Sequence, residues 1–178
     1  LTVNHVGSRG EGVAKLYTKF DYKEQNFNFF IPFSLPNELI LAKPNYFSTE
    51  GVRAELLELK QPSSERVEPK CKHFFKCGGC TLQHWNFKSY NNWKTNKVFS
   101  QINILSSSVE IKEMLTSSLK NRRHAKFIAK KTKSDTIIGF NEYKSHFISE
   151  IDECIILHEA LIKTLKEIKA PIDKLLKV

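Results

Sequence analysis

The sequence predicts an α+β protein in which a small β-barrel is followed by a cysteine-rich loop and by a domain with an antiparallel sheet. Three observations predict this fold class. Residues 1–59 contain five or six short apolar runs separated by turn residues, with no helical period. Three cysteines lie within ten residues, at 71–80. From residue 119 the apolar residues recur at every second position, which is typical of strands.

Length and composition exclude several classes of protein. The 178 residues are 40% hydrophobic and 11% aromatic, which is enough to build one large or two small cores. No apolar run approaches the roughly 18 residues of a membrane span, and the first residues lack the basic and then apolar pattern of a signal peptide. We therefore expect a cytoplasmic protein without a membrane partner. Thiols stay reduced in that compartment, which favours metal binding or catalysis over disulfides.

The net charge of +9 is concentrated in the middle of the chain. Residues 60–134 contain sixteen Lys or Arg and four Asp or Glu, whereas the segments on either side are slightly acidic. Such a positive field is expected for a partner that carries phosphates, although an anionic membrane surface would satisfy the charge equally well. A solvated basic face without a partner is the remaining alternative.

The first sixty residues predict a barrel of the OB or a similar type. The motif GSRGEG at 7–12 has glycine spacing like that of a dinucleotide fingerprint, but no helix pattern follows it, so we expect a hairpin turn. The aromatics Phe29 and Phe33 are candidates for stacking on bases, although half of such aromatics must fill the barrel. Residues 60–70 hold two prolines and two serines and predict a linker.

The second half of the chain predicts two helices and a meander. Ser89 is the expected N-cap of a helix over about 90–105, and the serines at 106–108 are expected to end it. Strands with turns at 131–135 and 141–145 follow. A second helix is predicted over 157–168, closed by Pro171, with a core-facing stripe of four residues: Leu157, Leu161, Leu165 and Ile168.

The cysteines form one possible metal-ligand set. Cys71, Cys77 and Cys80 stand as C-x5-C-x2-C, and the only other cysteine is Cys154. A zinc site usually uses two paired knuckles, and here only Cys77 and Cys80 form one. An iron–sulfur cubane commonly takes three thiolates from one loop and a distant fourth, so the spacing fits it better. Zinc, and structural or disulfide-linked cysteines, stay open at this point.

Other residues of the loop bear on the same question. Gly78 and Gly79 would let backbone N–H groups approach sulfur without a Cβ in the way. His73 and His84 could ligate zinc, but a partly exposed surface histidine, or one that donates to a nearby carbonyl, is the commoner situation. The aromatics Phe74, Phe75 and Trp85 could stack on bases or could form an apolar wall around a cluster.

The whole loop, CKHFFKCGGCTLQHW at 71–85, resembles a known signature. It is similar to the C-x5-CGGC-x-x-QH motif of the RNA uracil-5-methyltransferase family, which includes 23S ribosomal RNA enzymes with an N-terminal TRAM barrel and a four-iron cluster. Further stretches match in order along nearly the whole chain: GEGVAK, IPFSLPNEL, PSSERVEPKC, NRRHAKF and IGFNEYKSHFISEIDECIIL. The family usually has glycine where Asn37 stands, which puts the geometry of that turn in question.

The resemblance implies a cofactor and a domain order. Cys71, Cys77, Cys80 and Cys154 are expected to bind a [4Fe-4S] cluster. The expected order is a TRAM-like barrel at 1–60, a linker and cluster-binding loop at 61–88, and a central α+β domain at 89–178. The cluster is expected to be structural, since no second redox group is visible.

The family's chemistry requires features that this chain lacks. A cysteine nucleophile must add to C6 of uracil before S-adenosylmethionine donates its methyl group to C5. All four cysteines are assigned to the cluster, and no Gly-rich turn follows residue 80 to seat the cofactor. We therefore expect no catalytic or S-adenosylmethionine-binding residues here, an absent C-terminal methyltransferase domain, and a chain inactive alone. S-adenosylmethionine would be used only by a full-length enzyme.

A run of basic residues predicts where RNA binds. Residues 118–134 contain seven Lys or Arg and no acid. In a strand, Arg122, His124, Lys126 and Lys130 would lie on one face and could follow successive phosphates. We expect Arg122, Arg123 and Lys126 to contact RNA, whereas lysines at 130–133 belong to a hairpin tip. The alternative is an edge strand protected by lysines from aggregation.

The sequence thus predicts the RNA-recognition and cluster-binding portion of a uracil-5 RNA methyltransferase, with ribosomal RNA as the partner. The alternative is a non-catalytic RNA-binding iron–sulfur protein or a truncated gene remnant. A small redox protein would not need the positive charge of the middle segment.

Overall fold

A computed structural model describes residues 1–20, 23–105 and 112–176. Contacts group the chain into two compact units. The first unit contains residues 1–68 and 81–98, and the second contains residues 69–80 and 99–178. No helix within the described ranges has the length and apolar character needed to cross a membrane.

The first unit contains a five-stranded mixed sheet in the order β1-β2-β3-β5-β4. Its strands are β1 His5–Val6, β2 Gly12–Phe20, β3 Lys23–Ile31, β4 Leu39–Ser48 and β5 Gly51–Gln61. The β3–β5 pair is parallel and the other pairs are antiparallel. The sequence predicts that these strands close into a barrel. The structure confirms the strands and their pairing in one mixed sheet, which is a less specific result than a closed barrel.

The glycine-rich motif at 7–12 forms the predicted hairpin turn. Gly7 N donates to Glu11 O at 2.7 Å, and β2, not a helix, follows. Gly10 has φ of 85°, a conformation that favours glycine. The prediction of a hairpin instead of a dinucleotide fingerprint is therefore confirmed.

One core cluster of the first unit is aliphatic apart from one aromatic residue. Its buried members are Val3, Ala14, Phe29, Ile31, Ile40, Val52 and Ala54. Phe29 is only 3% exposed, so of the two alternatives for this aromatic its ring fills the core and is not available for stacking on bases. Phe33 is half-buried, and its ring lies edge-on to that of His84, with 6.4 Å between centroids.

Asn37 adopts the conformation that a glycine would take. Its φ is 67°, and its N–H donates to Val3 O at 2.9 Å. Asparagine tolerates this left-handed region better than most residues with a side chain. The departure from the family's glycine therefore leaves the turn intact.

The neighbouring Glu38 is fully buried and paired with Arg66. Arg66 donates to the Glu38 carboxylate through Nε at 2.5 Å and Nη2 at 2.9 Å. The backbone N–H groups of Leu35 and Ser63 donate to the same carboxylate. Burial alone would raise the pKa of Glu38, but these bonds and the Arg66 charge outweigh burial and lower it below 4.5. The first part of the linker is thereby tied to the sheet.

Helix α1 runs from Phe87 to Leu105, three residues earlier than predicted at its start. The side chain of Asn86 accepts from Ser89 N at 2.9 Å, so Asn86 provides the cap and the predicted cap at Ser89 is wrong. Tyr90 and Trp93 pack on a buried apolar cluster, while Val98 is exposed. The serines predicted to end the helix, at 106–108, lie outside the described residues.

The second unit contains the predicted antiparallel meander. Its strands are β6 Ile128–Lys131, β7 Thr136–Asn141 and β8 Ile148–Glu150, in the order β6-β7-β8. The turns fall where the sequence predicts them: Thr132 N donates to Asp135 O at 2.8 Å, and Ser145 N donates to Glu142 O at 3.2 Å.

Helix α2, Glu159–Leu175, continues through Pro171. The prediction that Pro171 ends it is therefore wrong. A proline inside a helix removes one backbone hydrogen bond, at a cost of about 3 kcal/mol, and packing of Ile172 onto the apolar cluster offsets part of that cost. Leu165 is buried as predicted, and Ile162 packs beside it, whereas Ile168 is 36% exposed.

Candidate functional site

The cysteine loop is a compact segment fixed to the β7–β8 turn. Within the loop, Phe74 N donates to Cys71 O and Cys77 N donates to His73 O, at 3.0 and 2.7 Å. Gly78 N donates to Asn141 O at 2.8 Å, and Cys77 forms an isolated β-bridge with Glu142. A Cβ on Gly78 would lie 2.9 Å from Asn141 O, so glycine is needed for this close approach.

The structure brings Cys154 to this loop. Cys77 is buried together with Ile138, Ile151 and Leu165, and Cys154 packs against the same cluster. Cys71, Cys80 and Cys154 are half-buried. All four cysteines belong to the second unit and carry free thiols that are not joined by disulfides.

The thiols of Cys71 and Cys77 lie close enough to that of Cys154 for its charge to affect their pKa. Burial raises the pKa of both Cys71 and Cys77, and negative charge on Cys154 raises both further. Backbone N–H groups oppose this effect: that of His73 is directed at the Cys71 thiol, and that of Gly79 donates to Cys77 Sγ at 3.4 Å. N–H groups directed at sulfur stabilise a thiolate, which is the form that binds metal.

These features fit a sulfur-ligated group in part. Thiols that converge on one region, with amides donating to sulfur, are the expected surroundings of an iron–sulfur cluster. However, no group of three or more His, Cys, Asp or Glu side chains within the described ranges has the arrangement needed to hold a metal ion. The described residues therefore include thiols that lie near one another, but these thiols are not arranged as a complete set of metal ligands.

A polar contact adds to the connection between the loop and Cys154, and the sequence did not predict it. Lys72 Nζ lies 2.7 Å from Asp152 Oδ2, and His73 Nε2 lies 2.9 Å from Asp152 Oδ1. These hydrogen bonds lower the pKa of Asp152. The imidazole of His73 thus forms a hydrogen bond with a carboxylate near the cysteines. The position of His73 in the sequence did not indicate that Asp152 would be its partner.

The remaining candidate residues of the loop divide by burial. Phe74 and Trp85 are buried, so neither ring is exposed for stacking on bases. Trp85 Nε1 donates to Glu65 Oε2 at 2.8 Å, and its ring packs with Val6, Leu35 and Leu82. Phe75 is 56% exposed. His84 is fully buried instead of lying at the surface, and burial lowers its pKa to about 4, with a further contribution from the Arg66 charge.

The basic segment is exposed but is not the predicted strand. Strand β6 begins only at Ile128, so the expectation that Arg122, His124 and Lys126 line one strand face is wrong. Arg122 instead forms an isolated parallel bridge with Leu157, and its Nε donates to His124 O at 3.0 Å. The side chains of Arg122, Arg123 and Lys126 are exposed.

Lys131 differs from the expectation of a flexible hairpin-tip lysine. Its Nζ lies 2.5 Å from Asp173 Oδ1, and Thr136 Oγ1 also donates to that carboxylate. Lys169 similarly contacts Asp135 and Glu150, at 2.9 and 2.8 Å. Lys131 is therefore engaged in attaching α2 to the meander.

Lys126 lines a cavity that the sequence did not predict. This cavity, of about 680 Å³, lies beside Gly78 and Gly79 and is also lined by β6, β7 and the turn that follows β7. A second cavity, of about 530 Å³, includes Cys154 and the exposed Lys163 and Lys166. The sequence analysis identified residues 141–145 only as a turn. The signal that could have indicated a binding surface there is the aromatic Tyr143, which lies between the polar Glu142 and the basic Lys144.

The chain is similar to parts of several longer RNA methyltransferases. No family model matches the chain. An uncharacterized RNA methyltransferase of Brucella melitensis biotype 1 is 34% identical over 95% of the chain. The 23S rRNA (uracil(1939)-C(5))-methyltransferase of Francisella tularensis subsp. novicida is 30% identical over 93% of it. The chain spans 38% and 37% of the lengths of these two relatives.

A solved structure shares the fold. The crystal structure of Pyrococcus abyssi tRNA (uracil-54, C5)-methyltransferase in complex with S-adenosyl-L-homocysteine matches with a TM-score of 0.59 and 23% identity. The match covers 97% of this chain and 36% of that one. The resemblance to RNA uracil-5-methyltransferases is therefore confirmed: nearly the whole chain is homologous to part of proteins so named.

Proposed function

We propose that this chain, which is homologous to part of RNA methyltransferases, is the RNA-recognition and [4Fe-4S]-binding portion of an S-adenosylmethionine-dependent RNA uracil-5-methyltransferase. Homology over 95% of its length is the observation that carries the proposal. Ribosomal RNA is the proposed partner, since the Francisella relative is named for 23S rRNA, and the cytoplasm is the proposed location. Methyl transfer is not assigned to any residue of this chain.

The proposed architecture has three parts. Residues 1–60 form a TRAM-like barrel, 61–88 the linker and cluster-binding loop, and 89–178 the central α+β domain. Support for the barrel comes from contacts between the start of the chain and β4. Thr2 forms a bridge with Leu39, and Leu1 and Ile40 exchange two hydrogen bonds of 2.8 Å. Such contacts bring an outer strand of the sheet against the segment that precedes β1, as closure of a barrel requires.

The proposed ligands of the cluster are Cys71, Cys77, Cys80 and Cys154. The C-x5-C-x2-C spacing, the proximity of Cys154 to Cys71 and Cys77, and the N–H groups directed at two sulfurs support this assignment. The cluster, when bound, would link the loop to the segment after β8, and its binding free energy would also stabilise the folded second unit.

The proposed RNA contacts are Arg122, Arg123 and Lys126. They are exposed, and they lie in a chain whose basic residues are concentrated between 60 and 134. Each phosphate that a protein cation neutralises releases condensed counterions, so binding weakens as salt rises. Three such contacts on a single strand would contribute about −2 to the slope of log K against log salt.

The test is a salt titration of RNA binding by the chain. The triple variant R122A/R123A/K126A should bind a ribosomal RNA fragment more weakly and with a smaller salt slope. The matched control is K163A/K166A/K174A, which removes three exposed charges from α2 and should retain the slope of the unmodified chain. Equal affinity and slope for the triple variant and the unmodified chain would refute the assignment.

A further inference from the structure

We propose that the 680 Å³ cavity beside Gly79 binds one unpaired nucleotide of the RNA, with the base against aromatic rings and the phosphate near lysines. We call this cavity the nucleotide bowl. It is lined by Gly78 and Gly79, by Lys126 and Ile128, and by residues 140–146. The proposal rests on the proposed function in one respect, namely that the partner is RNA.

The size and walls of the bowl suit a nucleotide. Ligand sites commonly have volumes of about 300–1,000 Å³, and they combine apolar surface with a few polar groups. The Phe140 ring stacks on Phe127, with 4.9 Å between centroids and 29° between planes, so it is held in place from behind. Tyr143 supplies a second ring on the wall. Bases of single strands bind proteins by stacking on such rings, whereas paired bases are not accessible to them.

The charge of the bowl also suits a nucleotide. Lys126 and Lys144 are exposed on its lining, and His146 is exposed beside them. Lys144 Nζ lies 5.1 Å from the centroid of the Tyr143 ring, so a cation and an aromatic face lie side by side. The acidic group of the lining, Glu142, lies 3.3 Å from Lys76 Nζ, which offsets its charge. An anionic group with an attached aromatic ring is the ligand that fits this combination.

Gly79 supports the same conclusion. Its φ does not lie in the region that favours glycine, and a Cβ there would meet only Cys77 Sγ at 3.4 Å and a Phe140 ring atom at 3.9 Å. Packing among the described residues therefore does not require glycine at position 79, in contrast to position 78. The N–H group of Gly79 donates to Cys77 Sγ, and the absence of a Cβ also leaves an open backbone surface on the bowl, where a planar ligand can approach closely.

Binding of matched single-stranded and hairpin RNA by the full chain tests the proposal. Y143A should bind the single strand about 5- to 160-fold more weakly, the range expected for loss of one stacked base, and should bind the hairpin stem unchanged. Y143F keeps the ring and should bind as the unmodified chain does, which separates stacking from a change in folding. The control Y46A removes a tyrosine from the first unit that is 64% exposed and should change neither affinity.

The outcomes also separate this proposal from the proposed function. If R122A/R123A/K126A weakens binding but Y143A does not, the bowl does not bind a nucleotide and the proposed function stands. If neither variant changes binding, the bowl and the assignment of Arg122, Arg123 and Lys126 are both overturned, and if the unmodified chain binds neither RNA, the proposed function is overturned. Photocrosslinking provides an independent measurement: single-stranded RNA containing 5-bromouridine should attach to a peptide that contains residues 139–146. Attachment only elsewhere in the chain would overturn the proposal.

Discussion

Replacing Arg66 by alanine should strongly destabilise the first unit. The change removes the two hydrogen bonds from Arg66 to Glu38 and a third, of 2.7 Å, to Phe33 O. Glu38 would remain buried with only the N–H groups of Leu35 and Ser63 as donors. Breaking a buried ion pair by removing one partner costs about 3–5 kcal/mol. Because Arg66 is 17% exposed and water can partly replace it, we expect a loss of about 3 kcal/mol.

Urea denaturation followed by tryptophan fluorescence measures this loss. Both tryptophans, Trp85 and Trp93, belong to the same unit as the ion pair, so their signal follows its unfolding. A loss of about 3 kcal/mol lowers the urea midpoint by roughly 1–3 M. R9A is the matched control, because Arg9 is exposed and lies 3.5 Å from Glu50, and it should change stability by no more than about 0.5 kcal/mol. An R66A variant as stable as R9A would refute the argument.

The pH dependence of stability provides a second result with a definite sign. In the unmodified chain the pKa of Glu38 is lowered from 4.5. Its stabilising contribution is therefore complete above pH 4.5 and is lost as the pH falls through the lowered folded value. In R66A, burial acts without the arginine to oppose it, so the pKa of Glu38 is higher than in the unmodified chain and this contribution is smaller. As the pH drops below 4.5, the urea midpoint should therefore fall less for the variant than for the unmodified chain.

Two further predictions concern the turn and the cluster. N37G should be at least as stable as the unmodified chain. N37A should lose about 1 kcal/mol in the same urea assay, because φ of 67° disfavours alanine. Equal stability of the two variants would contradict this prediction. Chain purified without oxygen should contain about four irons and four sulfides. C154S should lose iron to a chelator at least about tenfold faster while the metal-free chain unfolds as before; zinc without sulfide would contradict the cluster.

The sequence by itself determined the elements whose signals are local. The alternation in TIIGF and the turn residues around it predict the meander, because strand faces alternate along the chain and turns need particular residues. The glycines of GSRGEG predict a hairpin for the same reason. The CGGC loop, together with the stretches that match in order, predicted the homology to RNA methyltransferases.

Only the tertiary structure decided which residues meet across long separations in the chain. The alternation of apolar and polar residues predicts that the first strand of the meander begins near residue 119. In the structure, residues 120–122 pair with residues 155–157 instead. Pro171 has an intrinsic preference to end a helix, yet α2 continues because Ile172 packs on the core. The Asp152 contacts, the burial of His84 and the nucleotide bowl have no local pattern, since each depends on segments that folding brings together. Local preferences are small energies, and the burial of distant segments against one another outweighs them.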